Sequence, residues 1–270
     1  MSGPQRVFES RELLLALTLR ELQTKYRGSF LGWSWSLLNP LVTLAIYGFV
    51  FGIIFGAQAP IGENSNLTGF AWFLLCAIIP WNFFAVVNSV GLTSVTDNSA
   101  LVRRVAFPRE ILVFSNVVFA LVQFGIELGL LSTILLVIAG APILPYVPLA
   151  ALLGVALAIF SSGIALALAC IAVYFRDVKY LWTNAIQIWF FLTPVVYPPS
   201  LAESKLPIWA QTVLQINPMV HFVGAFRDLL YHAQIPDIQR IGAVLLSTSG
   251  SLIIGWSVFN RLSPRLPEEV

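Results

Sequence analysis

The sequence predicts an all-α membrane protein with six transmembrane helices, an N-terminal amphipathic helix at the membrane surface, and short external re-entrant helices between spans five and six. Of its 270 residues, 58% are apolar and 10% are charged, whereas soluble globular proteins carry about 25% charged residues. Residues 28–96 hold one charged side chain, Glu63, and residues 111–175 hold one, Glu127. Such charge-free runs suit apolar helices of about 20 residues, and they lack the alternation of an outer-membrane barrel.

Residues 1–32 predict a cytoplasmic amphipathic helix that lies in the membrane interface. Charged residues interrupt this segment every few residues, so we do not expect it to cross the bilayer. It also lacks the basic start and the long apolar core that are typical of a cleavable signal peptide. At 100° per residue, one apolar stripe runs along it with polar residues opposite. The stripe comprises Phe8, Leu15, Leu19, Leu22 and Tyr26, widened by Leu13, Leu14 and Leu17; Arg20, Gln23, Thr24 and Arg27 lie opposite.

Six apolar runs between charged residues predict the spans of one transmembrane domain over residues 33–260. A cytoplasmic tail, residues 261–270, follows. The fifth run is the shortest. The spans are roughly Trp33–Gly56, Phe70–Val95, Ile111–Ala139, Val147–Phe175, Leu181–Tyr197 and Ile241–Asn260.

The basic residues predict the orientation in the membrane. Six crossings place both termini on one side, and twelve of the 15 Lys and Arg residues share that face. Because cytoplasmic loops carry an excess of Lys and Arg, both termini are expected in the cytoplasm. Lys205, Arg227 and Arg240 are left on the external side.

The external segment 198–240 is too long for a turn and contains five prolines. Asn217 before Pro218 is a helix-start pattern, with an N-cap residue followed by proline at the first helical position. We therefore expect short interfacial or re-entrant helices here, which survive at membrane depth only when packed against protein or lining a water-filled cavity.

Several chemistries are not supported by the residues present. There is no phosphate-binding loop, so the chain is not expected to hydrolyse ATP. His221 and His232 are eleven residues apart and the four aspartates are isolated, which gives only a weak case for a metal site or a carboxylate pair. Cys76 and Cys170 lie in apolar runs and suit packing. A net charge of +2 does not indicate nucleic-acid binding.

Two short charged loops face the predicted cytoplasmic side. The first, 97–110, opens with possible N-cap residues, continues through Leu101 and Val102, and stops before Pro108. The second, 174–180, places Arg176 and Asp177 between aromatic residues. Either loop is a plain connector carrying positive-inside charges or a docking surface for a soluble partner. The candidate N-caps are Asp97, Asn98 and Ser99, and the helix they begin ends in Arg103 and Arg104.

Five short motifs in order resemble the permease subunits of type-2 ABC exporters for cell-surface polysaccharides, namely the O-antigen, teichoic-acid and galactan exporters. Each motif is short, but together they span nearly the whole chain. They are Leu19–Gly32 followed by Trp35 and Asn39-Pro40, Phe107-Pro108-Arg109-Glu110, Phe175-Arg176-Asp177-Val178, Thr193–Pro198, and Asn217-Pro218 with Arg227.

The resemblance implies a homodimer of six-span subunits in a bacterial cytoplasmic membrane, forming a channel for a lipid-linked polysaccharide. Two copies of a separate ATPase would bind ATP and Mg, so no cofactor and no enzymatic site are expected in this chain. The helix after span two would couple to the ATPase beside the interface helix, and the external helices would cover the channel exit. The residues concerned are Asp97, Asn98, Ser99, Leu101, Arg103, Arg104, Arg176 and Asp177 for coupling; Arg20, Lys25, Tyr26 and Arg27 for the interface helix; and Tyr197, Asn217, Pro218, Phe222 and Arg227 for the external gate.

Aromatic stripes and Glu127 are the channel candidates. Tyr47, Phe51 and Phe55 recur every four residues, and Trp182 and Trp189 are seven apart. Rings at helical spacing suit a sliding sugar chain, whose C–H faces stack on aromatic planes, or equally lipid contact, packing and interfacial belts.

Glu127 is costly inside a span and must face protein or water. It would line the channel or the dimer seam, or act structurally as a protonated donor. If Glu127 carried a proton, the chain would instead be a secondary transporter. A type-2 exporter of a small molecule or drug is a further alternative for the chain.

Overall fold

The computed structural model describes residues 10–25, 35–54, 56, 59–105 and 107–269 of the chain. Helices make up 81% of the structure, and the described residues contain no strand. The helices are α1 (Arg11–Lys25), α2 (Trp35–Tyr47, continued by a π-helix at Gly48–Ile54), α3 (Phe70–Asp97), α4 (Ser99–Arg104), α5 (Glu110–Val137), α6 (Val147–Tyr174), α7 (Val178–Phe191), α8 (Pro199–Lys205), α9 (Ile208–Ile216), α10 (Pro218–Leu230), α11 (Ile238–Leu262) and α12 (Leu266–Glu269).

Four helices in the described part of the chain are long and apolar enough to cross a membrane. They are α3, α5, α6 with the 3-10 turn that precedes it, and α11, and they match the second, third, fourth and sixth predicted spans. α7 has 14 residues, about 21 Å at 1.5 Å per residue, which is less than a hydrocarbon core of about 30 Å. The apolar part of α2 and its π extension, Leu41–Ile54, is also shorter than the 18 residues of a candidate span. Spans one and five therefore stay predictions.

Helix α3 forms the centre of the protein, and α5, α6 and α10 pack around it. Helix α11 packs against α6, and small residues let these two backbones meet. A Cβ on Gly255 would collide with the carbonyl group of Gly163, and Ser251 Oγ donates to Phe160 O at 2.7 Å. Glycine at both positions is what permits this close crossing.

Helix α1 lies against α5, and part of the predicted apolar face is turned toward the protein. Leu17 and Thr18 are buried, and Thr18 Oγ1 donates within its own helix to Leu14 O. Leu15 and Leu19 point away from the protein and are more than half exposed. The predicted face is thus divided. Leu13, Leu14, Leu17 and Leu22 pack on the core, whereas Leu15 and Leu19 stay open, where lipid can cover them if α1 lies in the interface.

Contacts between distant parts of the chain define two ends of the helix bundle. At one end, here called the basic end, α1, α4 and the α11–α12 turn come together. Leu266 of α12 is fully buried there, and α12 packs on α4 and α6. At the other end, here called the proline-rich end, the loop 59–69 and the segment 192–237 meet. The predicted site residues that the structure describes lie at one of these ends or in the bundle between them.

Candidate functional site

The junction of α3 and α4 at the basic end is held by Asn98. Its side chain does not cap α4, as the sequence suggested for Asp97, Asn98 or Ser99. Instead Asn98 Nδ2 donates to Ser94 O at 2.9 Å, and Asn98 Oδ1 accepts from Arg20 Nη2 at 3.0 Å. Arg20 also pairs with the adjacent Glu21. Asn98 therefore connects α1 to the start of α4.

Helix α4 presents two cations to solvent from an anchored backbone. Val102 is buried and Leu101 is half-buried, which fixes one side of this six-residue helix. Arg103 and Arg104 are exposed in its last turn, where positive charge complements the helix dipole. The arrangement offers an anchored, positively charged surface to a partner.

The second charged loop lies on the turn from α6 to α7. Arg176 and Asp177 are exposed there. Just before the turn, Tyr174 OH donates to Leu262 O at 3.0 Å, and the Arg109 guanidinium donates to Ser263 O. The ends of α6 and α11 are thereby joined. Of the remaining predicted residues, Lys25 ends α1, whereas Tyr26, Arg27 and Phe55 lie outside the described residues.

Asn217 organises the proline-rich end, and its predicted N-cap role is confirmed. Asn217 Oδ1 accepts from Met219 N at 3.0 Å, with Pro218 at the first helical position of α10. The same oxygen accepts from Trp189 Nε1 at 2.7 Å, and Asn217 Nδ2 donates to Thr193 Oγ1 at 3.0 Å and to Leu192 O at 3.2 Å. One amide thus joins the end of α7 to the start of α10.

Arg227 is a buried cation that holds irregular backbone. It is 3% exposed. Its guanidinium donates to Pro194 O, to Val195 O at 2.7 Å and to Phe73 O at 3.3 Å, and it lies 3.7 Å from the centroid of the Phe73 ring. Burial lowers the pKa of Arg227 to about 9, so it remains protonated at pH 7. The turn after α7 therefore has donors for its buried carbonyl groups.

The other predicted gate residues are placed around this turn. Phe222 is fully buried in α10, with its ring 5.2 Å from that of Phe160. Tyr197 OH donates back to Phe191 O at 2.9 Å. α8 and α9 extend beyond the turn, and Ile208 and Trp209 of α9 are more than 70% exposed.

A clasp between the loop 59–69 and the turn after α10 was not foreseen from the sequence. Tyr231 OH donates to Pro60 O at 2.8 Å and Leu67 O at 2.9 Å, and Ser65 Oγ donates to Tyr231 O. Asn64 Nδ2 donates to Ala233 O at 3.1 Å. Nearby, Arg240 pairs with Asp228. These partners are far apart in sequence, and no local pattern marks them.

The aromatic candidates form connected stacks inside the protein. Tyr47 and Phe51 stack at 5.8 Å, and the series continues through Phe70 and Phe73 to Tyr231. Trp189 contacts the Phe84 ring at 5.0 Å and the Trp182 ring at 6.4 Å. In the conformation described, these rings pack against one another.

Glu127 lies in the bundle between the two ends. Gln123 Nε2 donates to Glu127 Oε1 at 3.0 Å, and both side chains line a cavity of about 330 Å³ between α2, α3 and α5. In the part of the chain that the structure describes, no group of three or more His, Cys, Asp or Glu side chains is placed to hold a metal ion.

The chain is similar to several known proteins over most of its length. The chain is 28% identical over 264 residues to the O-antigen export system permease protein RfbA of Myxococcus xanthus, covering 98% of this chain and 96% of that protein. It is 26% identical over 257 residues to a protein of the same name from Klebsiella pneumoniae, covering 95% and 94%. It is 22% identical over 245 residues to the polysialic acid transport protein KpsM of Escherichia coli, covering 90% and 91%. The family model for the ABC-2 type transporter matches residues 12–231, and the chain therefore belongs to the ABC-2 type transporter family.

Proposed function

We propose that this chain is the membrane permease subunit of an ATP-driven exporter that moves a lipid-linked polysaccharide, of the O-antigen, galactan or teichoic-acid type, across the bacterial cytoplasmic membrane. The observation that carries the proposal is the similarity, over nine-tenths or more of each chain, to permeases named for O-antigen export and to a polysialic acid transport protein. Family membership also implies a partner ATPase subunit.

In the proposed assembly, two copies of the chain form the channel, and two ATPase subunits bind ATP and Mg on the cytoplasmic side. Each copy crosses the membrane six times with both termini in the cytoplasm, so the basic end is cytoplasmic and the proline-rich end is external. The exposed cations of α4, Arg103 and Arg104, support docking there, because a helix that packs on α3 and α12 can transmit a push to them.

At the external side, α8–α10 cover the exit. The contacts of Asn217 and Arg227 support this assignment, since they attach α10 to the end of α7, to the turn that follows it and to α3. The channel candidates are Tyr47, Phe51, Phe55, Trp182, Trp189 and Glu127.

The proposal is tested with the permease and its ATPase in proteoliposomes. Substituting Arg103 and Arg104 with Glu reverses the charge of α4, so ATP-dependent glycan export should fall at least about tenfold, because like-charge contacts disfavour the docked state. Arg261→Glu, an exposed arginine of α11, is the matched control. Unchanged export by the α4 variant contradicts the docking role, and glycan movement without any ATPase contradicts the proposal itself.

Two alternatives are separated by the same preparation. Export of a small hydrophobic drug in preference to any glycan would indicate a small-molecule exporter of the same family. Loss of export when the proton gradient is collapsed, with ATP present, would indicate a proton-coupled transporter. In that case Glu127→Gln should abolish transport, because the amide cannot carry a proton.

A further inference from the structure

Helix α4 is too short to hold its position without its neighbours. It has six residues, Ser99–Arg104, and a helix of this length is unstable alone because the cost of forming the first turn is not recovered. Asn98 fixes its start. The elements that pack on α4 most are α3, from which it continues, and α12. The position of Arg103 and Arg104, at the far end of α4, therefore depends on α12.

Helix α12 is anchored by one apolar side chain. It comprises the four residues Leu266–Glu269 and follows a 3-10 turn at Ser263–Arg265. Leu266 is fully buried, and it belongs to the same apolar core as Val102 of α4. Helix α12 packs on α6 as well as on α4. It thus joins α4 to a helix that is long enough to cross a membrane.

The turn that carries α12 is fixed to three long helices. It follows directly on α11, which ends at Leu262. Tyr174 OH, at the end of α6, donates to Leu262 O at 3.0 Å. The guanidinium of Arg109, just before α5, donates to Ser263 O. Because close-packed elements transmit displacements, a movement of α4 reaches α6 and α11 through α12 and is not absorbed by a loose connection.

We propose that α12 is a strut between α4 and the helix bundle, and that Leu266 is the positioning residue that keeps α4 in place for the ATPase. The inference rests on the proposed docking role of α4. When the ATPase pushes on α4, α12 carries the movement to the ends of α6 and α11, so ATP hydrolysis stays coupled to glycan export. Without the Leu266 anchor, α4 moves independently of the bundle, and ATP is hydrolysed without driving export.

Hydrogen exchange of the full-length permease in nanodiscs, without the ATPase, tests whether α12 holds α4. Leu266→Ala leaves a cavity at the anchor, so the amides of α4 should exchange at least about tenfold faster, relative to those in the middle of α3, than in the parent. The matched control is Leu135→Ala. Leu135 is as fully buried as Leu266 but lies near the far end of α5, so its loss should leave the relative exchange of α4 unchanged.

Transport in proteoliposomes with the ATPase tests the strut. The number of glycan molecules exported per ATP hydrolysed should fall at least about fivefold in Leu266→Ala, while ATP hydrolysis persists. Leu135→Ala should keep the parent ratio although it lowers Tm. Leu266→Met conserves the volume of the side chain and should also keep the ratio. Leu266→Val leaves a smaller cavity and should show both changes to a lesser extent, so it decides the question if the alanine variant does not fold.

Unchanged exchange of α4 in the Leu266 variants overturns the inference, because α12 then does not hold α4. Faster exchange with an unchanged export ratio also overturns it, since the movement then reaches the bundle by another route. A ratio lowered equally by Leu135→Ala would be a general effect of destabilisation and would reject the strut as well. If substituting Arg103 and Arg104 with Glu leaves export intact, the proposed docking role fails, and the exchange experiment still decides whether α12 positions α4.

Discussion

Replacing Arg227 with Met should destabilise the protein through the carbonyl groups that its guanidinium now serves. Pro194 O and Val195 O would lose their charged donor in a site that water does not reach, since Val195 is fully buried. Each stranded carbonyl costs about 1–3 kcal/mol, and loss of the cation–π contact with Phe73 adds about 1 kcal/mol. Relief of the buried charge offsets part of this cost, because burial opposes the cation, as the lowered pKa of Arg227 indicates.

The net loss should be about 2–4 kcal/mol, which corresponds to a Tm lower by roughly 5–12 °C for a chain of this size. Cys76 and Cys170 are both buried, so a thiol-reactive fluorogenic dye reports unfolding of the purified protein without added labels. Arg227→Lys should give an intermediate value because one ammonium group cannot reach three diverging carbonyls. Arg261→Met, at an exposed arginine of α11, should shift Tm by less than about 2 °C. An Arg227→Met variant as stable as the parent would refute the reasoning.

Three further predictions use the same unfolding assay. Asn217→Ala removes the α10 cap and the partner of Trp189 Nε1, so it should lower the free energy of unfolding by about 2–3 kcal/mol. Asn217→Asp keeps both acceptor contacts and should lower it less, and equal losses in the two variants would contradict this account. Gly255→Ala should lower Tm by several degrees because its Cβ meets the Gly163 carbonyl, while Gly250→Ala, with open space around it, should not. Burial lowers the pKa of His232 below its usual 6.5, so the unfolded chain binds the proton more readily than the folded chain does. The stability that His232 contributes should therefore be present above about pH 6.5 and be lost as the pH falls below it. Parallel curves of Tm against pH for the parent and His232→Asn would disprove this.

The long helices could be predicted from the sequence because their evidence is local. The fourth predicted span, Val147–Phe175, differs by one residue from α6, since the apolar run and the charges that flank it are both read along the chain. The Asn217-Pro218 helix start was equally visible, because an N-cap concerns only the next two or three residues. The fifth predicted span, by contrast, contains a turn that apolar composition does not reveal, and α7 ends at Phe191.

The roles of single polar residues could not be predicted in the same way. The sequence marks Arg227 only as part of a motif in the external segment, yet its guanidinium donates to Phe73 O, 154 residues away. The bond from Tyr231 OH to Leu67 O spans 164 residues. Asn98 was a candidate helix cap and instead joins α1 to α3, because Arg20 offers a donor that only the tertiary structure brings near. Which hydrogen bonds form at such sites depends on long-range proximity rather than on pattern.

The meeting of Thr193 and Asn217 has an evolutionary consequence. Their side chains are 3.0 Å apart, so the chain between them leaves the bundle and returns to the point from which it departed. Because closing a longer loop costs little extra free energy, the segment between Thr193 and Asn217 can be lengthened, shortened or exchanged while these two flanking residues keep their contact. Chimaeras that import residues 196–216 from a relative should therefore fold, because the contacts of Thr193 and Asn217 that flank the segment are kept.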